Sequence, residues 1–281
     1  MITSLPPFLI FFAGALVVAF APNRLRPTLT LLVPLFGGWN LWYVAAGSDL
    51  TVALFDYRLE LVRSDKLSLL FGILFHLATF LISIYAVHIR DRLQQVSSLV
   101  YAGGALGAVF AGDLITLFVA WELMAVSSVF LIWARRTPRA SGAGLRYLAI
   151  QISSGLLLLA GALLHISETG SLAFGPLGVG SLAGVLIFTA FGIKCAFPLV
   201  HSWLTDAYPE ATPSGMVFLS AFTTKVAVYG LARSFAGTEA LIYIGTAMAM
   251  FPIFYAVIEN DLRRVLAFSL INQVGFMVVG I

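Results

Sequence analysis

The chain has 281 residues, 60% of them hydrophobic and only 10% charged, with a mean hydropathy of +0.99 and a formal net charge of +3. Such a composition excludes a water-soluble domain of average make-up, and the few scattered bases do not form the basic footprint of a nucleic-acid binder. One cysteine, Cys195, leaves no partner for an internal disulfide and no thiolate cluster for zinc or iron–sulfur, so it reads as a small buried hydrophobe.

Apolar runs of roughly 18–22 residues, the length that crosses a hydrocarbon slab, recur along the chain. They predict an all-α polytopic membrane protein with about ten spans, at 5–22, 28–46, 67–87, 97–112, 114–134, 143–166, 179–200, 213–233, 240–258 and 264–281. The first run has no basic stretch before it and is followed by Asn23, Arg24 and Arg26 rather than a small-residue cleavage site, so it reads as a retained span. The segment 47–66 alternates apolar and polar residues and predicts a small hairpin or surface helix at the interface. The glycines of 102–112 read as close helix packing, and 167–180 as an ordinary outer loop.

The basic residues report orientation. Arg24, Arg26, Arg90, Arg92, Arg135, Arg136, Arg139, Arg146, Arg263 and Arg264 fall on one side of alternate connections, and Arg58, Arg63, Lys66 and Arg233 on the other. The first side is therefore expected to be cytoplasmic in a cell inner (plasma) membrane, with both termini outside.

Charges within spans cost on the order of 3 kcal/mol on insertion scales, so each needs a partner, water or a function. Glu122 lies well inside the fifth span; it reads as functional, or as a structural carboxyl bonded to Ser127 or Ser128. Lys194 precedes Pro198 by four residues. The proline has no N–H for the Lys194 carbonyl, so the seventh helix should break there. Irregular backbone at membrane depth is tolerated when buried in protein or lining a watery cavity. Burial disfavours the charged amine and a carboxylate favours it, so approach and withdrawal of an acid would load and unload a proton; the alternative is a lysine snorkelling to the interface. Lys225 sits near the middle of the eighth span with no acid in its own helix, which suits a hydrated proton wire or a pairing with a backbone carbonyl. His201 and Asp206 follow the break and read either as a connection from wire to surface or as helix-end groups. Asp113 and Asp261 read as N-caps. No spacing resembles a metal site, a nucleophile elbow or a phosphate loop, so no metal, cofactor or enzymatic chemistry is expected.

The stretches 120-AWELMAVSS-128, 190-AFGIKCAFPLVHSWLTDAYPEATP-213, 220-SAFTTKVAVYGLAR-233 and 261-DLRRVLAFSLINQVG-275 resemble the antiporter-like membrane subunits. These comprise Mrp-type cation/proton antiporter subunits, the proton-pumping membrane-arm subunits of respiratory complex I, and relatives in membrane-bound hydrogenases. The resemblance runs from about 97 to 281 and implies inverted five-helix repeats, each with a half-channel. It divides the chain into a three-helix segment at 1–96, a first repeat at 97–234 with its seventh helix broken, and the first two helices of a second repeat at 235–281. It also implies that Glu122 pairs with Lys194 and that Lys225 is the relay on the eighth span, its lysine in SAFTTKVAVYG favouring the Mrp D-type branch. Family members have about fourteen spans, so the expected partners include other antiporter subunits and a chain supplying the remaining helices of the second repeat. An echo of 113–133 in 261–281 places Leu270 opposite Glu122. The expected function is a proton-translocating subunit of a multisubunit monovalent cation (Na+)/proton antiporter. The alternatives are a proton-pumping subunit coupled to a redox or carbon-uptake module, and a non-conducting assembly scaffold.

Overall fold

The computed structural model describes residues 5–44, 49–54 and 57–281. Eleven α-helices and one hairpin make up these residues: α1 (Pro7–Phe20), α2 (Arg26–Val44), β1 (Leu50–Leu54), β2 (Tyr57–Val62), α3 (Lys66–Tyr85), α4 (Arg92–Phe110), α5 (Leu114–Trp133) and α6 (Pro138–Thr169), then α7 (Leu182–Lys194), the short α8 (Ser202–Ala207), α9 (Pro213–Ser234), α10 (Glu239–Ile258) and α11 (Leu262–Val279). Each expected span overlaps one of these helices, although the seventh, expected at 179–200, is helical only over Leu182–Lys194. By length and composition α3, α5, α6, α9, α10 and α11 can cross a membrane; α1 and α7 are apolar but shorter. α2 carries Arg26, Asn40, Gly37, Gly38, Trp39, Trp42 and Tyr43, and α4 carries Arg92, Gln94, Gln95 and two serines, which dilute their apolar content.

Local chemistry sets the helix ends. Asp113 starts α5 by accepting from the Thr116 backbone N–H at 2.7 Å, and Asp261 starts α11 by accepting from that of Arg263 at 2.9 Å, so both aspartates cap as expected. α6 exceeds its apolar run at both ends because Thr137 caps it, Pro138 occupies its first turn and Gly170, at φ 69°, ends it in the left-handed conformation that glycine adopts without penalty.

α4 is the centre of the bundle. Residues 97–110 other than Val100 are buried on every side, with Gly103 against Phe11 and Phe12 of α1 and Gly104 against Met124 of α5. The small residues of 102–112 thus let two helices approach the same backbone. The segment 47–66 forms the antiparallel hairpin β1–β2; residues 47, 48, 55 and 56 of that expectation lie outside the described residues.

The loop at 167–180 is more than an ordinary connection. Phe174 is fully buried, its N–H donates to the Gly112 carbonyl at 2.9 Å, and Leu114 N–H donates to the Leu172 carbonyl at 2.9 Å, so the loop is strapped to the start of α5. Its one charge and its turn residues gave no sign of this, because the pairing uses backbone groups alone.

Candidate functional site

α7 stops at Lys194, and helix resumes only at Ser202. Between them Pro198 supplies no N–H, and Ala196 and Leu199 adopt φ of 61° and 75°, conformations costly for residues with a Cβ. Across the break Trp203 Nε1 donates to the Ile193 carbonyl at 2.9 Å, which also accepts from the Ala196 N–H at 3.1 Å.

Lys194 is 1% exposed. Its Nζ donates to the Trp121 carbonyl of α5 at 2.7 Å and sits 4.2 Å from the centroid of the Trp121 ring, a cation–π contact. Trp121 is itself held. Its indole Nε1 donates to Ser154 Oγ of α6 at 3.1 Å, Ser154 Oγ donates to the Ala190 carbonyl of α7 at 2.8 Å, and its ring packs 5.1 Å from that of Phe191. The amine is therefore cradled by three helices, with no snorkelling to an interface.

Glu122 follows Trp121 in sequence and is half-buried. Its Oε1 is buried without a hydrogen-bond partner among the described residues, and a Cβ on residue 155 would overlap the carboxyl, so Glu122 lies over the bare backbone of Gly155. Ser127 and Ser128, the structural partners weighed from sequence, bond instead to the Leu123 carbonyl at 2.6 Å and to the Tyr147 hydroxyl at 2.8 Å. Among the described residues no carboxylate lies within 4.0 Å of Lys194. The two groups are neighbours through one peptide unit.

Lys225 of α9 is half-buried, and its Nζ donates to the Ser220 carbonyl of its own helix at 2.9 Å. Cys195, the residue after Lys194, is fully buried. The structure thus brings Glu122 and Lys194 together at the Trp121–Glu122 peptide, while Lys225 is bonded within its own helix. It does not bring Asp206 there. That carboxylate accepts from Arg146 Nε at 2.8 Å and from a second guanidinium nitrogen at 3.0 Å, at the exposed end of α8. His201 packs with its ring tilted 58° and 4.7 Å from that of Phe251, and its buried Nδ1 has no partner among the described residues.

Trp121, Ser154 and Gly155 are additions that sequence reasoning missed. The available signal was a tryptophan deep in a span, whose N–H needs a partner, beside the one acid of that span.

The chain matches a family described as NADH:quinone oxidoreductase/Mrp antiporter, transmembrane part, over residues 111–281. It is 28% identical to NADH-quinone oxidoreductase subunit N of Deinococcus radiodurans, covering 96% of this chain and 62% of that protein. It is 29% identical to Na(+)/H(+) antiporter subunit A1 of Staphylococcus aureus, covering 76% of this chain and 30% of that protein. Its fold superposes on a chain of the Mrp complex from Dietzia sp. DQ12-45-1b with a TM-score of 0.82 at 24% identity, over 97% of this chain and 57% of that one. The chain therefore spans less than two thirds of the length of these relatives.

Proposed function

Because this chain belongs to the NADH:quinone oxidoreductase/Mrp antiporter family, we propose that it is a proton-translocating subunit of a hetero-oligomeric complex in the cell membrane. Glu122, Lys194 and Lys225 act as its proton relay. The observation that carries the reading is Lys194: a buried amine at the end of a broken helix, held by a neutral carbonyl and an aromatic face, one peptide away from a carboxyl with an unpaired oxygen. Such an amine has an acceptor in either protonation state and a carboxylate close enough to bias which state it takes. Shifts of Glu122 toward and away from Lys194 gate the proton, and Lys225 receives it past Cys195. His201 stands at the mouth of the path, and Asp206, engaged by Arg146, carries no step.

Ten spans, termini outside, and the division into 1–96, 97–234 and 235–281 accompany this reading. Support for the division comes from α10 and α11, whose outer faces leave Tyr243, Phe254, Val257, Leu262 and Phe276 largely exposed. Those faces suit further helices of a second repeat, supplied by a longer form of the chain or by a partner subunit. The cation is monovalent, with Na+ favoured by the named activity of the Staphylococcus aureus relative. A second reading, coupling the same relay to a redox module, is favoured by the relative that covers nearly the whole chain, a quinone oxidoreductase subunit.

The test is ion transport by the purified complex in proteoliposomes. Lys194→Ala and Glu122→Ala are each expected to abolish proton movement while subunit composition stays that of the wild type. Full transport in both variants sinks the proposal, and loss of assembly in both supports a scaffold. Dependence of the wild-type flux on Na+ rather than on a reductant separates the antiport reading from the redox one.

A further inference from the structure

α6 and α7 run antiparallel, and two contacts set their register. Ser154 Oγ donates to the Ala190 carbonyl at 2.8 Å, and a Cβ on Gly161 would lie 2.9 Å from the Ala183 carbonyl. Each step down the numbering of α6 is thus a step up that of α7. With both helices rising about 1.5 Å per residue, this register carries Gln151 to the level of Ile193 and Lys194, where α7 breaks. Gln151 is 0% exposed and shares the buried stripe of α6 with Tyr147 and Ser154.

Its amide is the anomaly of the site. Nε2 and Oε1 are both buried, and neither has a hydrogen-bond partner among the described residues. A buried amide left so costs about 1–3 kcal/mol per unmet group, and native proteins fill such positions with protein groups or ordered water. The protein groups around it are committed elsewhere. Ser154 bridges Trp121 and Ala190, Trp203 holds the Ile193 carbonyl, and the Tyr147 hydroxyl is 2.8 Å from Ser128 Oγ. Lys194 has three N–H donors and gives one to Trp121.

We infer that Gln151 holds an ordered water that links the Lys194 amine to the Tyr147–Ser128 hydroxyl pair. The water accepts from the Lys194 ammonium, donates to Gln151 Oε1, and has its second hydrogen for the Tyr147 oxygen. The amide keeps both its own protons, so Gln151 is a positioning residue, and the proton moves along water and hydroxyls. The path leads from Lys194 toward the end of the bundle where α5 stops and α6 starts, the side bearing Arg135 and Arg136. This inference rests on the proposed transport function for its purpose, but the water site can be observed without it.

The experiment uses the assembled complex in two measurements. A cryo-EM map resolved well enough to show ordered water is expected to show a peak within hydrogen-bonding distance of both the Gln151 amide and Lys194 Nζ. In proteoliposomes Gln151→Met, of similar length but without polar atoms, is expected to lower the proton flux by about tenfold or more. Gln151→Asn, which keeps an amide donor and acceptor one methylene shorter, is expected to restore part of it. An amide satisfied by protein groups alone overturns the inference, as does wild-type flux in Gln151→Met when Lys194→Ala is inactive. Normal flux in Lys194→Ala would instead defeat the proposed function, and the map alone then decides the water site. If Gln151→Met does not assemble, the wild-type map decides as well.

Discussion

Lys194 is tied to Trp121 twice, through a 2.7 Å bond to its carbonyl and through a 4.2 Å approach to its ring. Both attachments come from the residue before Glu122, so any movement of α5 that shifts the carboxyl also shifts the seat of the amine. Acid and amine are coupled mechanically as well as electrostatically.

Substitutions at Trp121 separate these attachments. Trp121→Phe keeps an aromatic face under the amine and loses one hydrogen bond to Ser154, which still has the Ala190 carbonyl as its acceptor. The expected cost is about 1 kcal/mol, with flux reduced only a few-fold. Trp121→Leu removes the aromatic face, which for a desolvated cation contributes about 2 kcal/mol, or about thirtyfold in an equilibrium. Proton flux in proteoliposomes is expected to fall far more in the leucine variant than in the phenylalanine one; equal losses would show that the ring serves packing alone.

Gly155 is expected to be intolerant of a single methyl group. Its Cβ would overlap the Glu122 carboxyl, and the half-buried glutamate has room to swing outward. Gly155→Ala should therefore leave assembly near normal while displacing Glu122 and lowering flux toward that of Glu122→Ala. Gly161→Ala serves as the contrast, because its methyl would meet Ile187 and the Ala183 carbonyl; it should reduce yield instead, by wedging α6 from α7. Flux per assembled complex distinguishes the two.

The break at Lys194 was legible because its cause is local: a proline four residues on removes one donor. The hairpin and the aspartate caps were legible for the same reason. The contacts around Lys194 were not, since a direct Glu122–Lys194 pair and a pair joined through the Trp121 carbonyl differ only in the rotation of α5 about its axis. That rotation is decided by how Gly155 and Ser154 of α6 receive α5, a long-range choice with no periodic signature in a helix that is apolar around its whole circumference apart from Glu122 and a few hydroxyls. The strap at 172–174 was invisible because backbone groups make it.

Asp206 is expected to contribute little to transport. It pairs with Arg146 at the exposed end of α8, with side chains 38% and 62% exposed, and exposed pairs are worth about 0–1 kcal/mol. Asp206→Asn should leave proton flux within about twofold of wild type and thermal stability nearly unchanged. A loss as deep as that of Lys194→Ala would move Asp206 into the relay.

The end of the bundle near the hairpin carries a different pair, Asp65 with Arg233. A guanidinium nitrogen of Arg233 donates to both carboxylate oxygens, at 2.9 and 2.7 Å, and Asp65 also caps α3 by accepting from the Ser68 N–H at 2.8 Å. Burial pushes the Asp65 carboxyl upward, but the Ser68 N–H and the Arg233 guanidinium outweigh it and hold the carboxyl below its usual value of 3.8. A carboxyl depressed in the folded state contributes stability that is present above the unfolded value and is lost as pH falls through the lower, folded one. The contribution is therefore expected to be complete at neutral pH and to disappear only in acid below about pH 4. Thermal unfolding of the detergent-purified complex, followed from pH 7 downward, should show wild type converging on Asp65→Asn in that acid range. Arg233→Gln should lower stability at neutral pH, and in Asp65→Asn the same change should cost much less, because the cap survives and the ion pair is already gone. Curves that stay parallel through the acid range would show that the capping bonds, and not the charge on Asp65, hold this end of α3 against α9.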